Sequence, residues 1–133
     1  MGAPIAKQND TVVAVDTHIV LVPAGPAIVP TPLPHPFNGK LVGALATTVT
    51  AGGLPVALVG STAVNQPPHM PTPPGASFQK PPTNSGRVVL GSQTVKVEGR
   101  AVARAGDTVE TCNDPADAPL GKIVAAGTVF VGG

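Results

Sequence analysis

Apolar residues in this chain come in short β-branched runs, separated by Gly, Pro and small polar residues, which is the spacing of short strands and turns. Thr11-Val12-Val13-Ala14-Val15 predicts a strand that ends at Asp16-Thr17-His18, and Ile19-Val20-Leu21-Val22 resumes extended structure. From Pro23 to Pro36 prolines recur so densely that an extended, polyproline-like segment over a surface is expected. That segment presents His35 between Pro34 and Pro36, with backbone freedom restricted on both sides. A further strand, Thr94-Val95-Lys96-Val97, leads into Gly99–Asp107, where Gly99 and Gly106-Asp107 have turn chemistry. No window of helical length keeps a 3.6-residue apolar period free of Pro and Gly. The pattern predicts an all-β, turn-rich fold with little or no helix.

A repeat lies within this pattern. Ala46–Ser61 aligns without gaps on Ser92–Asp107, with Thr48/Thr94, Val49/Val95, Gly53/Gly99, Val56/Val102, Ala57/Ala103 and Gly60/Gly106 identical. Ser61 stands where Asp107 does. Gly127-Thr128-Val129-Phe130-Val131-Gly132-Gly133 matches Gln93–Gly99 and stops at the turn. The missing half of this third unit is expected from the N-terminus, with Val12–Thr17 set against Val102–Thr108. Three strand–turn–strand lobes, the third made from both chain ends, predict a single domain over residues 1–133 with pseudo-threefold symmetry. The Pro-rich segment 23–36 and a loop over 65–83 lie within it.

Composition narrows the function. The 17 Pro and 16 Gly approach the range of disordered chains, but 42% apolar and only 11% charged residues argue for an ordered body. The net charge of +1, the absence of Trp and Tyr and the lack of a Lys/Arg cluster disfavour nucleic-acid binding. Met1–Ala6 lacks the basic and apolar regions of a signal peptide, and no run is long enough for a membrane span. Synthesis in the cytoplasm is expected, with any exit using no cleavable N-terminal signal.

The candidate chemistry lies in three histidines, His18, His35 and His69, and the single cysteine, Cys112. A lone cysteine allows no intramolecular disulfide. His18, His69 and Cys112 each follow the second turn of a lobe, and His35 is held between prolines. Three imidazoles and one thiolate complete a tetrahedral Zn²⁺ site with no open position, which is a structural site. The competing readings are surface histidines with a small buried cysteine, and a thiol or metal hydrolase using Cys112, a histidine and Asp114, or the carboxylates Asp107 and Asp114. Asp107 and Asp114 also suit turns, and Arg104 suits a local ion pair with Asp107 or Glu98.

Gly99-Arg100-Ala101-Val102-Ala103-Arg104-Ala105-Gly106-Asp107, its sister Pro55-Val56-Ala57-Leu58-Val59-Gly60, and the three His plus one Cys resemble the PAAR family. That family's proteins tip the spikes of contractile injection machines. Leu33–Phe37, Asn65–His69 and Thr111–Pro115 resemble stretches of its divergent members. The Pro-Ala-Ala-Arg motif is altered in both copies: Ala101 and Val102 replace Pro and the first Ala, and Val56 and Leu58 replace Ala and Arg. The resemblance implies a three-sided β-pyramid with zinc near its apex, held by His18, His35, His69 and Cys112. It implies no catalysis. It also implies a base that docks, one tip per trimer, on a VgrG-like or phage-baseplate-like spike, with effector cargo as a further partner and a target membrane to be punctured. Thr48-Val49, Thr94-Val95 and Thr128-Val129 are the expected spike-contacting strand ends, able to continue the spike strands by β-augmentation. A zinc-stabilised secreted binding module and a small hydrolase remain the alternatives.

Overall fold

A computed structural model describes residues 2–132. In chain order its strands are β1 (Ala3–Pro4), β2 (Thr11–Ala24), β3 (Ala27–Gly43), β4 (Thr50–Ala51), β5 (Leu54–Pro55), β6 (Thr62–Asn65) and β7 (Ser77–Phe78). There follow β8 (Ser85–Val88), β9 (Lys96–Val97), β10 (Arg100–Ala101), β11 (Thr108–Thr111), β12 (Ala118–Val124) and β13 (Phe130–Val131). There is no helix among the described residues.

The repeat folds into three two-stranded hairpins: β4 with β5, β9 with β10, and β1 with β13. The third joins the two ends of the chain, as the repeat predicts, but through a different N-terminal segment. Ala3 pairs with Val131 and Pro4 with Phe130, so Ala3–Asp10, not Val12–Thr17, is the missing half-lobe. Loose Val/Ala similarity favoured the wrong segment, whereas backbone pairing places Ile5, Val56 and Val102 in equivalent positions. Bridges Ile5–Arg104, Val56–Lys7 and Val102–Leu58 connect each lobe to the next. Gly133, the last residue of the third copy, lies outside the described residues.

At the centre a ring of three backbone hydrogen bonds closes. Ala6 donates to Ala103, Ala103 to Ala57 and Ala57 to Ala6, at 3.0, 3.0 and 2.9 Å. All three alanines are fully buried. On one side of the ring Ile5, Val56, Val102, Leu58 and Val131 pack with the hairpins, forming the base cluster. On the other side Ala6, Ala57 and Ala103 pack with Phe37, Leu41, Val88, Val109 and Ile123. Each lobe then turns in the same way. The backbone N–H of Lys7 donates to Asp10, that of Leu58 to Ser61 and that of Arg104 to Asp107. The left-handed position of the turn falls on Asn9, Gly60 and Gly106 (φ 70, 97 and 86°), a conformation open to Gly and tolerated by Asn. Ser61 therefore replaces Asp107 without loss because a hydroxyl oxygen accepts the same bond. Arg104 forms its ion pair with Asp107, at 3.0 Å.

Beyond the turns, β2, β3, β6, β8, β11 and β12 pair in succession, and β12 returns to β2, closing an antiparallel ring from which the β2–β3 hairpin projects. β7 adds to β2 outside the ring. Two expectations are corrected here. β2 does not stop at Asp16-Thr17-His18 but continues to Ala24, because the polar side chains Asp16 and His18 face inward with Val12 and Val20 at the period of two. The proline run is not a free polyproline segment. It is β3, paired residue for residue with β2 from Ala27 to Lys40. Pro30, Pro32, Pro34 and Pro36 occupy alternate positions, so their missing N–H groups share one edge, and β6 pairs with β3 only from Gly39 to Gly43. The prolines thus blunt the unpaired edge and leave the ladder to β2 intact. The expected loop 65–83 contains β7.

Candidate metal centre

The β2–β3 hairpin supplies half of the site by strand alternation. Asp16 lies directly across from His35, and His18 is two residues beyond Asp16 on the same face. His69 arrives from the segment after β6, and Cys112 follows β11. Asp16, His18, His69 and Cys112 place one ligand atom each within 4.8 Å of one another, all buried, and this cluster can bind a metal. His35 stands beside them, its ring 5.4 Å from both His18 and His69, and those two rings are 5.0 Å apart. Phe37 flanks His69 at 6.2 Å, and Phe78 flanks His18 and His35 at 5.8 and 5.3 Å. All four residues expected from the sequence are therefore neighbours. Asp16 was not expected. The signal available for it was the Asp16-Thr17-His18 alternation, legible only once these residues are placed inside a continuous strand.

The lobe repeat explains part of this convergence. His18 and His69 lie at the same separation beyond Asp10 and Ser61, so symmetry carries both to the same height. Cys112 lies closer to Asp107 and is not their counterpart.

Unpaired polar atoms test whether these residues suit a cation. His35 Nδ1 donates to the Leu33 carbonyl at 3.0 Å, which leaves Nε2 as a bare lone pair, buried and without a hydrogen-bond partner. His18 Nδ1 is buried without a hydrogen-bond partner, and Asp114 Oδ2 is 3.6 Å from it. Native proteins seldom leave such groups unmet. Asp16 is better supplied. One carboxylate oxygen accepts from the Thr111 hydroxyl and the other lies 2.9 Å from His69 Nε2 and 3.4 Å from Cys112 Sγ. Asp114 and Asn113 hold the cysteine segment against β2, accepting from the backbone N–H groups of Ile19 and Thr17 at 2.9 and 2.7 Å. An open groove of about 450 Å³, lined by Pro34, His35, Gln66, Pro68, His69 and Met70, leads from solvent to two of the rings.

Burial, and next the charge of Asp16, push the Cys112 thiol up to about 11, while the backbone N–H groups of Asn84 and Ser85 pull the other way. A thiol so raised is the reverse of an activated nucleophile, which needs a depressed value and access. The recess beside Cys112 and His18, about 20 Å³, has room for a water rather than a substrate. Metal coordination would displace the thiol proton outright.

Desolvation holds His18 below the ordinary imidazole value, against the opposing charge of Asp114. The folded chain therefore keeps His18 neutral where the unfolded chain takes up a proton. In chelator-treated protein the urea midpoint is expected to fall as pH drops below about 6.5, with the loss continuing until the lower folded value is passed. His18→Leu should flatten this dependence, and an unchanged slope would contradict it.

The fold and the site define a pseudo-threefold, all-β body with a buried cluster of metal-ligand type. Residues 79–133 match the family model described as the PAAR motif. This is the family that the sequence resembles, and the match covers the C-terminal part of the chain. The matched segment holds the lobe of Thr94–Asp107 together with Cys112, and the sister lobe and the three histidines lie before it. No curated protein matches the chain.

Proposed function

We propose that this protein caps the trimeric β-helical spike of a contractile injection machine as a single, non-enzymatic tip, and that a structural Zn²⁺ stiffens it. In this reading it is made in the cytoplasm, assembled onto the particle and driven through a target membrane. The observation that carries the docking is the equivalence of three strand ends. Val49, Val95 and Val129 are exposed to nearly the same degree (39, 38 and 43%) and accept equivalent backbone hydrogen bonds from Val56, Val102 and Ile5. Three such ends at one base suit a threefold partner. Combined substitution of Val49, Val95 and Val129 by Asp is expected to abolish co-purification with a trimeric spike while leaving thermal unfolding nearly unchanged. Retained binding would remove this docking face.

For the metal, His18, His69 and Cys112 provide three ligands, and His35 is the fourth. His35 Nε2 has no other partner, and an unmet buried acceptor costs about 1–3 kcal/mol. Asp16 already holds Thr111 and therefore acts around the site, supporting its ligands. Imidazole and thiolate donors suit Zn²⁺ over hard cations. Asp16→Asn is expected to keep stoichiometric zinc and His35→Ala to lose it. The opposite pair of results would make Asp16 the ligand.

A further inference from the structure

The three lobes treat the same backbone donors differently. In the first lobe the N–H groups of Thr47 and Thr48 and the Thr48 hydroxyl all donate to Glu98 Oε2, at 2.8, 2.9 and 2.8 Å, with the Thr47 hydroxyl at 3.4 Å. Glu98 reaches them from the turn of the adjacent hairpin, where its backbone is left-handed (φ 54°). The Thr48 hydroxyl first, then these N–H groups, hold its carboxyl below the ordinary range. In the second lobe Ser92 Oγ instead accepts from the N–H of Thr94, the counterpart of Thr48, and from that of Val95 one residue on, at 3.2 and 3.0 Å.

The third lobe has neither device. Ala126 stands where Ser92 does, and the turn residue facing it is Gly52, which stands where Glu98 does and has nearly the same backbone angle (φ 59°). Among the described residues no protein acceptor meets the N–H groups of Gly127 and Thr128 or the Thr128 hydroxyl. A notch of about 160 Å³ lies there instead, lined by Ile5, Lys7, Ala51, Gly52, Gly127 and Thr128 among others. Lys7 is beside it: a side-chain carbon built on Gly127 would lie 3.8 Å from Nζ. That ammonium also donates to the Ala126 carbonyl at 2.9 Å and pairs with Asp10 at 3.2 Å.

We propose that this notch is a carboxylate site, which takes an acidic side chain from the spike docked against the base. Glu98 shows which ligand the donors fit: in the sister lobe one carboxylate oxygen gathers two N–H groups and a hydroxyl. Donors alone, with a lysine nearby, select an anion. The site adjoins Val129, one of the three strand ends assigned to docking, and so rests on that docking. Only this lobe lacks both an inward carboxylate and the serine, so one spike chain of three makes the contact, and the other two meet lobes where Glu98 or Ser92 already accepts.

Acetate is the probe for the chemistry. Titrated against chloride at equal ionic strength, it is expected to shift the amide resonances of Gly127 and Thr128 in the native protein. Gly52→Glu supplies the missing carboxylate from within and should abolish the response. Gly52→Ala carries the same backbone demand without the charge and should keep it. Absence of shifts in the native protein overturns the site. For the source, Gly52→Glu is expected to weaken binding to the trimeric spike by about tenfold, the worth of one charge-assisted hydrogen bond. Equal affinity of Gly52→Glu and native protein overturns the spike as donor. A native protein that binds no spike overturns the docking itself, while the acetate shifts still decide the site.

Discussion

Cys112→Ala is expected to release the bound metal and to lower the midpoint of thermal unfolding by about 15 °C. An ion present at a thousand times its dissociation constant adds about 4 kcal/mol to a site found only in the folded state. For a domain of this size each kcal/mol moves the midpoint by about 4 °C. With the ligands proposed above, an ion would tie β2, β3, the segment after β6 and the segment after β11 at one level, so its loss would loosen four stretches together. Chelation of the native protein should reproduce the variant's midpoint, and added zinc should restore the native protein alone. A variant that kept both its metal and its midpoint would remove Cys112 from the ligand set.

The second large effect is expected at the ring of alanines. Ala103→Leu should destabilise the fold by about 3 kcal/mol, the upper range for overpacking a filled core. Ala6, Ala57 and Ala103 are fully buried and bonded to one another through the backbone, so a larger side chain at one of them displaces all three lobes. Arg104→Ala is the contrast. Its guanidinium binds Asp107 in two places but remains partly exposed, so the expected cost is about 1 kcal/mol or less. Urea unfolding of the two variants would rank them, and a reversed order would show that the motif's arginine carries more than a turn.

The contrast accounts for how the motif has diverged. The alanine is common to all three lobes because it sits on the axis, whereas the arginine position holds Lys7, Leu58 and Arg104. Gapless alignment of the two complete copies was legible in the sequence because turn glycines and axial alanines fix its register. The N-terminal half-lobe was not, since Asn9 replaces the turn glycine and Ile5 the valine, and only pairing reveals their equivalence. That His18, His35, His69 and Cys112 lie together was legible from residue type, from the turns before His18, His69 and Cys112, and from the prolines flanking His35. Asp16 was not, because Asp16-Thr17-His18 reads as the polar end of a strand, whereas Asp16 and His18 point inward. The prolines of β3 misled for a related reason. Their spacing of two spares the ladder, and a count of prolines does not register it.

The pairing of β1 with β13 has a consequence for biosynthesis. The first strand cannot find its partner until Phe130 and Val131 have left the ribosome, and the bridge from Ile5 to Arg104 spans most of the chain. A topology dominated by such distant contacts folds slowly and late. The nascent chain therefore carries an unclosed base, with the β1 strand end unpaired, until Phe130 and Val131 have emerged.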